Sequence, residues 1–394
     1  MDKNSKYKRN ILFLTIHLMF SKRITGPVMM LLYQAYGLSY GQIGTLSSIT
    51  WLTDSSMEIY GGAVSDVYGR KKASLLYGLL GMASMALFVF GRSFPYFAIA
   101  NAIYGFSLAI GSGNASALLF DTLTVLRLEK QYKKYRGKMQ FPPKLMNGLI
   151  ILALPFLYLH NIKYPYMLGF GFYFISFITA LLFLIEPPRK RGIVKPEIIK
   201  TAFSAMKEII SNKKVMLALA LEVVLSGFIL LMFEYFQPIL KIAGMPLAYF
   251  GIVYAIARLF EGLGSLFFHK LGHSNKRLIF FDAIMILFAL IGFAFTKSFI
   301  LIAFIFLACL IDGATDVLFS DIINKNISSK NRTTIMSTGN MFNSFFVALI
   351  LFTFGHVSDK VGVQSMFGLA GLSFLTLLLM VFLFMKIAKW FKNR

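Results

Sequence analysis

The chain has 394 residues, of which 57% are hydrophobic and 14% charged, with 42 Phe and a formal net charge of +23; its mean hydropathy is +0.69. That apolar content exceeds a soluble domain's and recurs in runs of spanning length, which excludes an ordinary soluble globule and marks an all-α, polytopic membrane protein. The positive charge does not call for nucleic acid, because cytoplasmic loops of membrane proteins collect Lys and Arg, and a lone Cys309 excludes an intrachain disulfide and a cysteine metal cluster.

The first apolar run follows the basic "MDKNSKYKRN" and continues through Tyr33 without a small-residue cleavage site, so it reads as a retained span and not a signal peptide. Twelve transmembrane helices are predicted, at 11–34, 42–64, 72–91, 95–120, 141–160, 165–186, 214–240, 247–269, 277–296, 299–323, 334–356 and 364–386. Each lies near the ~20 residues that cross a bilayer. With the N-terminus inside, "YGRKK", "RLEKQYKKYRGK", "HKLGHSNKR", "NKNISSKNR" and the tail "KIAKWFKNR" all fall on the cytoplasmic face. The opposite connections, such as "GRSFP" and "HNIKY", are short and charge-poor. The positive-inside rule then predicts a multi-pass protein of the cytoplasmic (inner) membrane with both termini cytosolic.

The longest polar stretch, residues 187–213, divides the chain into a six-helix bundle at 1–186 and another at 214–394, with an amphipathic linker around Glu197 to Ile210. Sliding the second half onto the first by about 200 residues sets Asp121 against Asp321, Lys22 against Glu222 and Glu58 against Arg258. The charges coincide in position and, in the last two pairs, oppose in sign. A duplication or similar helix lengths alone would each produce this pattern.

Groups that do not belong in hydrocarbon come next, since a charge at the bilayer centre costs ~2.5–3.5 kcal/mol on insertion scales and usually faces a cavity or a partner. Lys22 and Arg23 stand roughly 18 Å of helical rise from the start of helix one. Asp54 and Glu58 are four apart and share a face of helix two, with Asp54 at nearly the depth of Lys22. An ion pair between these helices, holding Asp54 ionised in one state, is one expectation; a purely structural pair is the other. Glu222 on helix seven and Arg258 on helix eight mirror them, although Arg258 and Glu261 also have the three-residue spacing of an intrahelical pair. Asp312 and Asp316 share a face of helix ten, and two carboxylates in one low-dielectric cavity suit proton binding. Trp51, Tyr60 and Phe120 are candidate cavity aromatics. The five His show no metal-ligand spacing and no GxxxxGK[ST] loop is present, so neither a metal nor another cofactor is expected.

The stretch "GGAVSDVYGRKKA", residues 61–73, resembles the signature loop between helices two and three of the major facilitator superfamily, matching at Gly62, Asp66, Gly69, Arg70 and Lys71, with Val64, Ser65 and Val67 in place of the usual Leu, Ala and Arg. "MEIYGGAVSD", "SGNASALLFDTL", "YFQPIL" and "NKNISSKNRTTIMS" are similar to segments of the drug-exporter-like members, the last matching at Asn324, Arg332, Thr334 and Ser337. The resemblance implies two pseudo-symmetric six-helix bundles rocking about a central site. It also implies a gate motif of Gly62, Asp66, Gly69, Arg70, Lys71 and Arg332, in which Asp66 latches the cytoplasmic side at a helix N-terminus. The expected cavity and coupling residues are Lys22, Arg23, Asp54, Glu58, Asp121, Glu222, Arg258, Asp312 and Asp316. Expected partners are a small-molecule substrate, protons and the lipid bilayer, with a monomer as the functional unit. The leading function is proton-coupled efflux of a small organic molecule. Import of an organic anion or metabolite by proton symport is the alternative, and a non-transporting sensor or lipid-handling protein on the same fold is the third.

Overall fold

A computed structural model describes residues 3–188, 206–267, 275–295, 298, 300–327 and 332–392. Every extended element among them is helical. In chain order they are α1 (Lys3–Met19), α2 (Gly26–Ala35), α3 (Tyr40–Tyr68), α4 (Arg70–Phe90), α5 (Phe94–Gly111), α6 (Asn114–Val125), α7 (Tyr132–His160) and α8 (Tyr164–Leu182). The second half continues with α9 (Lys213–Glu234), α10 (Phe236–Ile242), α11 (Phe250–Phe267), α12 (Asn275–Phe295), α13 (Ile300–Asn326), α14 (Arg332–Val361) and α15 (Val363–Lys392). Most of the expected amphipathic linker lies outside the described residues.

Ten described helices are long and apolar enough to cross a membrane, against the twelve expected. The difference lies in the first two spans. The expected span 11–34 is interrupted: α1 ends at Met19, and α2 opens at Gly26 with Pro27, which fixes a helical φ but supplies no amide. The second, α3, runs unbroken for 29 residues but carries Asp54, Glu58 and Asp66. The fourth and seventh spans are also divided, at Ser112–Gly113 and at Tyr235.

The helices form two compact units, Met1–Leu38 with Ile49–Ile198, and Ser39–Ser48 with Ile199–Arg394. Helix α3 therefore begins in the second unit and continues in the first. In the first unit an aromatic cluster ties α2, α4, α5 and α8 together: Phe88 stacks on Phe97 at 5.9 Å and on Tyr166 at 5.5 Å, while Tyr33 meets Phe97 edge-on at 5.3 Å. The second unit has its counterpart in Tyr235–Phe354 at 4.4 Å, Phe354–Phe367 at 4.8 Å and Phe228–Phe374 at 5.0 Å. Rings at these separations gain dispersion and quadrupole terms beyond their burial, without offering a polar group to the lipid.

Glycines decide how closely two helix pairs approach. A Cβ on Gly61 would collide with the Ala109 carbonyl, and one on Gly105 with the Thr50 carbonyl, so α3 and α5 touch backbone to backbone. In the second unit a Cβ on Gly264 would strike the Leu310 carbonyl and one on Gly313 the Glu261 carbonyl, so α11 and α13 make the same reciprocal contact.

Candidate functional site

In the first unit, Lys22 and Arg23 sit in the interruption between α1 and α2 and not within a helix as expected. Arg23 lays its guanidinium over the Tyr104 ring at 4.1 Å from the centroid, a cation–π geometry. Tyr104 is buried on α5 and lies in the electrostatic field of both Arg23 and Asp54. Asp54 faces Glu58 one turn along α3. Among the described residues no ion pair joins Lys22 to Asp54; the charged neighbour that Lys22 feels is Lys144 of α7. Beside them, Asn101 donates to the Tyr33 hydroxyl at 2.7 Å and accepts from Thr50 at 2.8 Å, a buried polar link from α2 through α5 to α3.

The second unit contains a cavity of about 210 Å³ lined by residues of α9, α11 and α13. Its charged walls are Glu222, Arg258, Glu261, Asp312 and Asp316, and its apolar walls include Leu225, Ile229, Phe233 and Phe319. Four carboxylates face one guanidinium. That guanidinium is already engaged: Arg258 donates to Glu261 at 2.6 Å and lies 4.3 Å above the Phe233 ring. The intrahelical pairing of Arg258 is the one that forms, and among the described residues Glu222, Asp312 and Asp316 make no ion pair. The hydroxyl of Thr315, also in the lining, lies 2.6 Å from Oδ2 of Asp282 on α12.

The described residues around the gate motif are joined by hydrogen bonds. Gly69 has φ +115°, a conformation that a side chain resists, and it separates α3 from α4. Arg70 donates to Ser65 at 2.7 Å and meets Asp121 at 3.5 Å, so Asp121 stands with the motif and not with the other expected cavity groups. Asn114 donates to Ser74 at 2.9 Å and accepts from Ser65 at 2.6 Å. Glu186 accepts from the amides of Arg70 at 2.9 Å and Lys71 at 2.7 Å, closing the N-terminus of α4 with a carboxylate where the helix dipole favours one. The side chains of Asp66 and Arg332 lie outside the described residues.

A second copy of the motif was not anticipated. Gly62-x-Val64-Ser65-Asp66-x-x-Gly69 recurs as Gly355-x-Val357-Ser358-Asp359-x-x-Gly362, and Gly362, like Gly69, has positive φ, +83°. Asp359 accepts from the amides of Tyr40 at 2.8 Å and Gly41 at 2.9 Å and from the Ser39 hydroxyl at 2.7 Å, at the start of α3. Glu186 and Asp282 were also missed. The signal for Asp282 was present, a single acid in the apolar run "IFFDAIMILF", as it was for Asp359 in the repeated pattern. Tyr60 and Phe120, expected in a cavity, are 63% and 47% exposed.

Charged groups held inside apolar helix bundles, beside a cavity with polar and apolar walls, define the class as a multi-pass membrane transporter. The family follows from comparison. The sequence profile of the Major Facilitator Superfamily matches residues 11–351, and the chain belongs to that superfamily. Among curated proteins no sequence relative matches. Similar solved structures include the nucleoside transporter NupG, with TM-score 0.74 and 15% identity over 99% of this chain and 100% of that one. A bacterial homologue of the human lysosomal transporter Spinster follows at TM-score 0.70 and 15% identity, covering 94% of this chain and 89% of that one. The peptide transporter POT in complex with sulfate gives TM-score 0.72 and 13% identity, covering 95% and 93%. Identities this low carry the fold and nothing finer.

Proposed function

We propose that this transporter exports a small, amphipathic organic cation across the cytoplasmic membrane in exchange for protons, by alternating access. The observation that carries this reading is the cavity of the second unit, where Glu222, Asp312 and Asp316 face apolar walls while Arg258 is held by Glu261. Carboxylates kept at membrane depth need a counter-charge, and an organic cation supplies one while its apolar body covers Leu225, Ile229 and Phe319. In the first unit, Asp54 and Glu58 are the proton-exchanging pair, with Arg23 near Asp54 through Tyr104. Asp66 acts as the latch of the cytosolic side, with both termini on that side.

A second reading, import of an organic anion with protons, rests on the like-charged Lys22 and Lys144 beside Arg23, which would supply the counter-charge for an anion. Nucleoside and peptide transporters among the solved neighbours show that the fold serves organic metabolites as well. Proteoliposomes under an imposed pH gradient separate the two. Export predicts that an inside-acid gradient accelerates uptake of external ethidium. Acceleration of organic-anion uptake by an inside-alkaline gradient establishes the second reading, and no gradient-dependent flux across a chemically mixed library removes transport altogether.

A further inference from the structure

Helix α12 is apolar along its length after the opening Lys276 and Arg277, with one exception, Asp282. That side chain is fully buried. On the same helix, Leu278 packs with Ala314 and Leu318 of α13, and Ile279 and Ile311 cover that cluster. One carboxyl oxygen, Oδ2, lies 2.6 Å from the Thr315 hydroxyl; the other, Oδ1, finds no hydrogen-bond partner among the described residues.

Among the described residues, the charged groups around it offer no cation that is not already paired. From α13 it faces Asp312, with Asp316 one turn further, and the Cys309 thiol; Glu222 comes from α9, which also packs on α12. The described part of α15 packed on α12, residues 363–383, has no ionisable side chain. Arg258 of α11 is held by Glu261. Lys276 and Arg277 are exposed, at least five residues back along α12.

Hydrogen-bond geometry then says where a proton sits. The Thr315 hydroxyl has one hydrogen and two acceptors in reach, Asp282 Oδ2 at 2.6 Å and the Asp312 main-chain carbonyl at 2.9 Å. If Asp282 is a carboxylate, Thr315 satisfies one acceptor and abandons the other, and Oδ1 stays bare. If Asp282 is a carboxylic acid, its O–H donates to Thr315 Oγ1 while Thr315 donates onward to the Asp312 carbonyl. Both distances are used at once only in the second case.

We infer that Asp282 is a proton-binding carboxyl of this transporter, reached from the cavity through the hydroxyl of Thr315 and coupled to the charge on Asp312. It adds a second place for a proton, behind the cavity, to the pair Asp54 and Glu58. Thr315 lines the cavity, so its oxygen can take a proton from that side as it passes its own to Asp282 Oδ2. The reverse releases it, and no electrons move. Asp282 and Asp312 repel when both are ionised. A cation bound at Asp312 removes that repulsion and lets the Asp282 proton leave, which is the linkage an exchanger needs. This coupling rests on the proposed cation cavity; the protonation of Asp282 does not.

The test is infrared difference spectroscopy across a pH titration of the full-length protein in lipid nanodiscs, read in the carbonyl-stretch region of protonated carboxyl groups. The wild type is expected to show a titrating band that Asp282→Asn removes, that Thr315→Val moves in frequency, and that Thr315→Ser leaves in place. An Asp282→Asn spectrum retaining every protonated-carboxyl band overturns the inference. If that variant does not fold, a Thr315→Val spectrum identical to wild type overturns it instead. Adding ethidium at fixed pH in weak buffer should release protons from the wild type and not from Asp282→Asn; release that persists in the variant overturns the coupling. Absence of ethidium release with the band intact counts against the cation cavity and leaves the proton site standing.

Discussion

The helix pair α3–α5 in the first unit and the pair α11–α13 in the second are closed by the same device, one glycine from each helix set against a carbonyl of the other. What they carry beside those glycines differs. On α3 the acids Asp54 and Glu58 lie one turn apart, and Asp54 is near Tyr104 of an α5 without charged side chains, with Arg23 stacked on that ring. On α11 the charges are spent on each other, Arg258 on Glu261, and it is α13 that brings the acids, Asp312 and Asp316. Backbone approach and charge are therefore written at separate positions. The glycines hold two helices in register, and the neighbouring side chains remain free to make one unit mixed in sign and the other acidic.

The largest effect expected from this contrast is a split in transport phenotype. Asp54→Asn or Glu58→Gln should abolish pH-gradient-driven ethidium flux while leaving ethidium binding intact. Asp312→Asn or Glu222→Gln should instead weaken binding by roughly 2–5 kcal/mol, the range for removing one partner of a buried charge pair. Fluorescence titration and flux on the same preparations measure both. If the two sets of variants behave alike, the division between the units is wrong.

Next in size is the glycine contact itself. Gly313→Ala and Gly105→Ala should each destabilise by roughly 1–3 kcal/mol, because the added methyl meets backbone that has no rotamer with which to yield. Thermal unfolding in detergent reads this, and a loss in one unit without the other would break the equivalence drawn above.

Helix caps come third. Glu186 in the first unit and Asp359 in the second each accept two main-chain amides at the start of a helix. Glu186→Ala and Asp359→Ala should each cost about 0.5–2 kcal/mol, measured by the same melts. A null result at Asp359 would show that its contact with the start of α3 is incidental.

The smallest effect belongs to two ion pairs, the long, half-buried Arg70 with Asp121 at 3.5 Å and the exposed Lys325 with Asp321. Neutralising either acid should change stability by ~0.2–1 kcal/mol and less at high salt. A larger loss at Asp121 would mark that residue as more than a surface partner of Arg70.

Much of the helical architecture was legible, because twenty-residue apolar runs have few alternatives in a bilayer. Interruptions were harder to see. Gly26-Pro27 announced a helix start and Lys22-Arg23 a local dip in hydropathy, yet the apolar residues on both sides made 11–34 read as one span. The acids of α13 were found because an Asp in an apolar run is conspicuous; whether Arg258 would turn to Glu222 or to Glu261 was not, because spacing within a helix permits a pair without choosing it. Glu186 was invisible for another reason. Its role depends on α8 ending beside the start of α4, a tertiary fact, and the sequence near it shows only an acid before two prolines.

The gap between α1 and α2 constrains how the protein meets its bilayer. Residues 20–25 leave the helical ladder, and lipid tails have nothing to offer an amide or a carbonyl that has done so. One of these carbonyls, that of Ser21, is met by the Tyr77 hydroxyl, and Ile24 is sealed against Leu154 and Phe172. Lys22, between them, is exposed. If α1 and α2 together serve as the first span, that exposure is to water and not to acyl chains. The annulus of lipid around the first unit must then stop short of this turn, and the gap is a strip of aqueous lining inside a wall that is otherwise hydrocarbon.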